Sequence, residues 1–382
     1  MTNKSDANST TEKSVVVWDL PTRIFHWLLV ANFATAWITS ENDRFVYVHV
    51  YAGYVFFGLL MFRLFWGIVG SRYARFHSFA RDWSSVTEYL KGLLNGSAER
   101  HIGHNPAGGW AIFAMLVLGV GTAITGLLVF GGEEGHGPLR HLVSFDVGQA
   151  AKDFHEVFAN LMLAMVILHL GGVLVESIFH KENLVWAMLT GRKPADLNTA
   201  PVRVYAFLGA GLLFVVLGSA ALYFRGYVLE TKTQPFKPYS SAQLASNTTW
   251  QKECGDCHLA FHPSLLPARS WKLMMEQQHK HFGDDLALDP DTVSEITKFM
   301  VDNSSETGIT EPAHKINHSI PDNETPLRIT DTRYWKKKHG EEQIDPTFWK
   351  SKKVGSKSNC VACHLDAKTG WFEDSDMRLP KL

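Results

Sequence analysis

Cysteine is scarce. The 382 residues hold four, and all four fall in two copies of one short pattern, so none is left for any other purpose. Net charge is missing as well: 37 Lys and Arg against 38 Asp and Glu give no hint of a nucleic-acid partner. No cleavable leader is expected either, because about fourteen polar residues come first and no small-residue cleavage site follows the first apolar run. That run is therefore expected to remain as an anchor.

What is present is a sharp division. Residues 24 to about 224 are dominated by long apolar runs rich in Phe, Trp, Leu and Val, whereas residues 230 to 382 are polar. The first part reads as membrane and the second as soluble. Five segments are expected to cross a hydrocarbon core that needs roughly 20 helical residues. They lie near 24–40, 47–70, 110–130, 154–179 and 204–224. The first is short and holds His26 and Asn32, and a helix starting at Pro21 completes it.

Lys and Arg in the short loops give the orientation. The loop after the second span carries Arg72, Arg75, Arg81, Lys91 and Arg100, and the loop after the fourth carries Lys181, Arg192, Lys193 and Arg203. The loops after spans one and three are acidic or nearly balanced. The N-terminus is thus expected in the cytoplasm and, after five crossings, the C-terminal part outside.

The repeated pattern is C-x-x-C-H: Cys254, Cys257, His258 and Cys360, Cys363, His364. A disulfide or thioredoxin-like pair would want a βαβ context, and a zinc site would want two such pairs close together. Here the pairs are 106 residues apart, each followed directly by His. That is the arrangement of covalent haem attachment, in which the thiols add to the porphyrin vinyl groups and the His becomes an axial iron ligand. Such attachment belongs to the outer face of a bacterial inner membrane, the side the loop charges require. A second axial ligand for each iron has six candidates: His262, His279, His281, His314, His318 and His339. On a continuing helix His262 would stay on the side of His258. His279 and His281 are expected on one helix, about 200° apart, so at most one faces an iron.

Ionisable groups inside membrane helices mark cofactor or ion sites by default. His155 and His169 are fourteen residues apart, about four turns and roughly 21 Å along one helix face. Two iron sites at two depths follow. Spans one and two run in opposite directions, which puts His26 at the inner level with His169 and His49 at the outer level with His155. Bis-imidazole haem b between facing helices is a known use of a bundle. Arg63, fourteen residues after His49, falls on the same face at the inner level, where it could pair with a haem propionate or reach the headgroups. Arg23 is a second such candidate. His101, His104, His136, His141 and His180 sit in or beside loops, where solvated or interfacial roles are expected.

The motifs "RIFHWLL", "HVYAGYVFFGLLMFRLFWGIVG" and "FHEVFANLMLAMVILHLGGVLVESIFHKENLVWAMLTGRK" resemble the bacterial cytochrome b561 family, which includes the cytochrome b subunit of nickel-iron hydrogenase. That resemblance, over about residues 18–195, implies a four-helix, di-haem, quinone-linked electron carrier. The runs "ECGDCHLAFHPSLLPARSWKLMMEQQHKHFGDDLALD", "LRITDTRYWKKKHGEEQI" and "NCVACHLDAKTGWFED" are similar to the bacterial di-haem cytochrome c family, across most of 250–382. This second resemblance implies bis-His haems, with His281 and His339 as the second ligands; His281 on the first iron and His339 on the second is the expected pairing, and the resemblance does not decide it.

The expected fold is all-α: a transmembrane four-helix di-haem bundle, a fifth transmembrane helix, and a small, mostly helical periplasmic di-haem cytochrome c domain. The expected boundaries are a polar cytoplasmic tail at 1–17, the bundle at 18–196, the fifth helix at 197–229, a linker at 230–249 and the c domain at 250–382. The expected function is electron transfer from quinol through two non-covalent b haems and two covalent c haems to a periplasmic acceptor. The resemblance makes a small soluble haem protein a plausible acceptor. Flow from a periplasmic donor into quinone uses the same parts, and a terminal reductase working at a c haem, a redox sensor or a membrane anchor are the other classes. Glu156 and Glu176 are candidates for proton handling, with surface anchoring as their ordinary role.

Overall fold

The computed structural model describes residues 13–40, 45–195, 199–229, 244, 246–308, 310–372 and 376–381. Most of the expected N-terminal tail, the acidic loop at 41–44 and most of the linker expected at 230–249 lie outside the described residues. The chain divides into two compact units, 1–127 with 150–225 and 128–149 with 226–382.

Five long helices stand where the apolar runs predict them: α1 (Leu20–Ile38), α2 (Val46–Val69), α4 (Pro106–Gly132), α5 (Phe145–Phe179) and α7 (Ala206–Leu229). Among the described residues α2, α4, α5 and α7 are long and apolar enough to cross a membrane. α1, which carries Arg23, His26 and Asn32, falls outside that set. Large apolar side chains point outward along these helices, Phe207, Phe214 and Leu222 on α7 and Ile167, Leu170 and Leu174 on α5, as a hydrocarbon solvent requires. α5 begins nine residues before the span expected at 154. Its 35 residues span about 52 Å, well beyond the roughly 30 Å hydrocarbon core, so one end projects.

Within the first unit, Phe56 and Leu60 of α2, Leu116 of α4 and Met162 of α5 form a core, joined by Leu29 and Phe33 of α1. α1 starts at an N-cap, where fully buried Asp19 accepts from Thr22 N (2.7 Å) and from the Trp66 indole at the far end of α2 (3.2 Å). Pro21 falls in its first turn, where a missing N–H is harmless. The start and finish of the bundle are tied by a two-stranded antiparallel sheet, β1 (Lys13–Val16) on β2 (Arg192–Ala195), with Lys13 opposite Ala195 and Val16 opposite Arg192. α7 packs on α2, where the Tyr223 hydroxyl donates to Tyr47 O (2.9 Å) and the Tyr51 hydroxyl to Val216 O (3.2 Å). Two shorter helices, α3 (Trp83–Asn95) and α6 (Leu184–Thr190), lie in the basic loops.

The second unit is built from short helices: α8 (Thr248–Glu253), α9 (Ala268–Glu276), α10 (Pro290–Asp302), α11 (Glu311–Ser319), α12 (Arg333–Lys338) and α13 (Pro346–Lys350). Its main core joins Trp250, Leu266, Trp271, Met275, Ile296 and Met300, and a second cluster joins Leu265, Ile316 and Ile320. The segment 128–149, which follows the apolar run of α4, belongs to this unit. Lys315 of α11 is the reason: its ammonium is buried against Glu134 (2.8 Å), Glu133 (3.6 Å) and Glu311.

Candidate haem sites

Two pairs of imidazoles meet inside the bundle. His26 of α1 faces His169 of α5 with ring centres 6.5 Å apart, and His49 of α2 faces His155 of α5 at 6.1 Å. The fourteen-residue spacing puts both α5 partners on one face, and α1 and α2 deliver the others. Two more pairs meet in the second unit, His258 with His281 at 6.2 Å and His339 with His364 at 6.0 Å.

These separations can be tested against chemistry. A metal–imidazole bond is about 2 Å and the ring centre lies roughly 1.1 Å beyond the ligating nitrogen, so two imidazoles on opposite sides of one iron have centres about 6.3 Å apart. All four pairs fall within 0.3 Å of that value. Distance alone is not diagnostic, because His314 and His318, one turn apart on α11, also have centres 6.4 Å apart. What distinguishes the four pairs is that each joins separate segments.

The outward nitrogens point the same way. Nδ1 donates to a backbone carbonyl in His49 (Ala36, 2.8 Å), His155 (Thr122, 2.9 Å), His258 (Leu259, 2.7 Å) and His339 (Trp335, 3.1 Å). Such a bond fixes the tautomer and leaves Nε2 with its lone pair, the usual outer partner of a metal-bound His. His26 Nδ1 and His281 Nδ1 are buried without a hydrogen-bond partner. Gly53, one turn beyond His49, and Gly172, three residues beyond His169, have open space beside them, as Gly58 and Gly171 do, and that room is compatible with a flat macrocycle. The residues therefore fit haem.

At the C-x-x-C-H sites all four thiols are free, and burial pushes those of Cys254 and Cys360 up to about 11. That is opposite to the lowered thiol of a redox-active C-x-x-C pair. Burial lowers His281 and His339 below the ordinary imidazole value, which keeps them neutral and able to ligate at pH 7. His339, at the C-cap of α12, stacks on Trp335 with centres 4.6 Å apart.

Two details differ from the sequence reading. His279 and His281 do not share a helix: α9 ends at Glu276, a 3-10 turn covers Gln278–Lys280, and His281 follows it. His262 is not on a helix continuing from His258 either. It N-caps a short turn, with Nδ1 2.7 Å from Ser264 Oγ, and Gly370 closes over its ring.

Arg63 is buried at 5% exposure, with its guanidinium 4.7 Å from the Phe76 ring centre and Nη1 without a partner. Arg23 donates to Leu189 O, and its Nε is likewise buried without a partner. Glu156 is exposed, whereas Glu176 is buried and accepts from the Tyr89 hydroxyl. His104 sits in the loop before α4, as expected, but is enclosed by aromatic rings rather than solvated. It lies between Trp18 (4.7 Å) and Phe79 (4.5 Å), and burial with Arg63 and Lys193 nearby pushes it down to about 3. Its position just before α4 gave no periodic signal.

An apolar bundle with paired histidines, followed by two C-x-x-C-H sites, defines a membrane cytochrome. Residues 17–191 match the family model of Prokaryotic cytochrome b561, and residues 250–372 match that of Dihaem cytochrome c. It is 28% identical over 210 residues to the Probable Ni/Fe-hydrogenase 1 B-type cytochrome subunit of Escherichia coli K12, covering 46% of this chain and 88% of that one. Against the Probable Ni/Fe-hydrogenase B-type cytochrome subunit of Rhodobacter capsulatus the identity is 26% over 213 residues, covering 47% and 81%. Among solved structures it is similar to the diheme cytochrome c from Rhodobacter sphaeroides, at 33% identity over 34% of this chain and 99% of that one, with a TM-score of 0.30. The diheme cytochrome type c of Shewanella baltica OS155 matches at 28% identity over 36% and 94%, with a TM-score of 0.29. The protein is an integral membrane electron-transfer protein, and its two families imply haem b and haem c.

Proposed function

We propose that this protein carries electrons from membrane quinol to a soluble acceptor outside a bacterial inner membrane. In this reading two b haems are held by His26 with His169 and by His49 with His155. Two c haems are attached at Cys254 and Cys257, with His258 and His281 as ligands, and at Cys360 and Cys363, with His364 and His339. The carrying observation is that all four imidazole pairs have the separation one iron demands. The haems supply one-electron redox chemistry.

The chain's own residues do the rest. The backbone carbonyls of Ala36 and Thr122 orient the outer pair. Arg63, with Nη1 buried and without a partner, would hold a propionate, and Arg23, which lines a cleft, would serve either a propionate or the quinol. Quinol gives up two electrons and two protons, and a cleft on the first unit supports its entry. That cleft is lined by Leu20, Arg23, Ile24, Trp27, Leu189 and Leu213, beside His26. Apolar walls suit an isoprenoid quinol, and one guanidinium suits its oxygen.

The basic loops support a cytoplasmic N-terminus and a periplasmic c domain, with the bundle at 18–196, the fifth helix at 197–229, the linker at 230–249 and the c domain at 250–382. A small soluble haem protein is the proposed acceptor. The test is a pyridine haemochrome spectrum of the purified chain followed by addition of quinol. Two haems of each type, all reduced by quinol, support the reading. Haem c that quinol cannot reduce in the intact protein overturns it.

A further inference from the structure

The two C-x-x-C-H sites stand in opposite electrostatic settings. Between residues 252 and 306, which carry the first site, ten Asp and Glu stand against five Lys and Arg. Between 333 and 357, which lead into the second, eight Lys and Arg stand against three Asp and Glu.

The acids come close to the first iron position, where Arg328, 4.0 Å from the Phe282 ring centre, is a cation beside them. Asp256 lies inside its C-x-x-C and is exposed, and Asp284 forms a backbone bridge with His281. Asp285 sits 2.8 Å from the His279 ring. The bases come equally close to the second. Lys336, Lys337 and Lys338 form the last turn of α12, whose C-cap is His339. Lys357 Nζ lies 5.9 Å from the Trp335 ring centre, and that ring stacks on His339. Lys350, Lys352 and Lys353 are exposed in the segment between. Among the described residues none of these seven lysines forms an ion pair; Lys353 donates to Lys381 O and Lys357 lies over Trp335, so no carboxylate offsets their charge there.

Charges gathered within a Debye length of about 8 Å add rather than average out. An electron would be held more readily beside lysines than beside carboxylates, which favours the second iron position as its destination. The lysines then face outward at the place where it arrives.

We propose that the second C-x-x-C-H site, Cys360 to His364, is the exit of the c domain, and that the lysines around it form a docking face for a soluble redox protein with an acidic face. The proposal rests on the electron-transfer reading and names the partner's chemistry. One electron leaves per encounter and reduces a one-electron acceptor, with no bond made and no proton moved. Complementary charge steers such encounters and makes their rate fall with salt.

The experiment uses the full-length, haem-loaded protein in nonionic detergent, reduced with dithionite so that quinol plays no part. Failure of quinol to reduce the protein would therefore bear on the proposed function alone. Oxidation by ferricyanide, an anionic one-electron acceptor, is followed by stopped flow, and binding of poly-L-glutamate by calorimetry. The expected ferricyanide rate falls several-fold between low and physiological salt. In a variant with Lys336→Glu, Lys337→Glu, Lys338→Glu and Lys357→Glu the rate drops about tenfold, loses most of its salt dependence, and polyglutamate binding weakens in step. A milder set, Lys350→Gln, Lys352→Gln, Lys353→Gln and Lys357→Gln, gives a smaller loss with the same sign and covers the case in which charge reversal impairs folding. Unchanged rate and binding in the two sets overturn the proposal. A larger response to Asp256→Lys with Asp285→Lys also overturns it, because the exit would then lie at the first site.

Discussion

His49 and His155 face each other from α2 and α5, and each gives its Nδ1 proton to yet another helix, His49 to Ala36 of α1 and His155 to Thr122 of α4. Four helices therefore fix one pair of imidazoles. Because the orientation comes from backbone carbonyls, no side-chain substitution on α1 or α4 can easily mimic its loss. His49→Ala or His155→Ala is expected to halve the haem b content in a pyridine haemochrome assay while leaving haem c intact. Quinol-driven reduction of haem c should cease in the same variants. Full haem b content in either one would remove the pair from the iron.

In the proposed reading each c site presents two imidazoles, which would leave neither iron an open position. The reduced native protein is expected not to bind carbon monoxide. His281→Ala and His339→Ala should each open one site and produce a carbon monoxide difference spectrum of about one haem equivalent. Carbon monoxide binding by the unaltered protein would favour a terminal reductase instead.

Lys315 is buried among Glu133, Glu134 and Glu311, with 3% of its surface exposed. The surrounding carboxylates hold it protonated, well above the ordinary lysine value, while burial raises Glu134. Removing the cation leaves buried carboxylates that must bind protons or stay uncompensated. Lys315→Met is expected to cost about 3–5 kcal/mol at neutral pH. Its sign with pH follows from the carboxylates: the deficit shrinks as the pH falls and Glu134 takes up a proton. Thermal unfolding of the loaded protein at several pH values measures both. A deficit under about 1 kcal/mol, or one that grows with acid, would contradict the account.

Much of this was legible in the sequence, for reasons that can be named. The spacing of His155 and His169 has meaning because α5 is one unbroken helix, and C-x-x-C-H is a local pattern that needs no knowledge of tertiary structure. Other features depend on contacts between distant residues. Lysine normally reads as a solvated side chain, and nothing near Lys315 announces that Glu133 and Glu134, some 180 residues earlier, will enclose it. The pairing of β1 with β2 joins strands of four residues each, too short to show a period. The run "SWKLMMEQQHKHF" is helical in composition and reads as one helix through His281, because the break at Gln277 carries neither Gly nor Pro. The burial of His104 depends on Trp18 and Phe79, which are remote from it in sequence.

Acid should destabilise the second unit through histidines that do not face an iron position. Burial pushes His262 down to about 4, beneath the closed turn at Gly370, where an added Cβ would lie 2.4 Å from the ring. Burial also takes His314 to about 4, with His136, His318 and Lys315 beside it and the Glu134 carbonyl accepting from its ring. A folded value below the unfolded one means that the unfolded chain binds more protons. The stability each neutral ring contributes is thus complete above about pH 6.5 and is lost as the pH falls toward 4. The denaturant midpoint of the haem-loaded protein should decline across that window, with an uptake of about two protons on unfolding from these two residues. His262→Phe keeps the ring volume and removes the titration, so it should reduce the uptake by about one proton. A slope unchanged by His262→Phe would show that the ring is already charged in the folded protein.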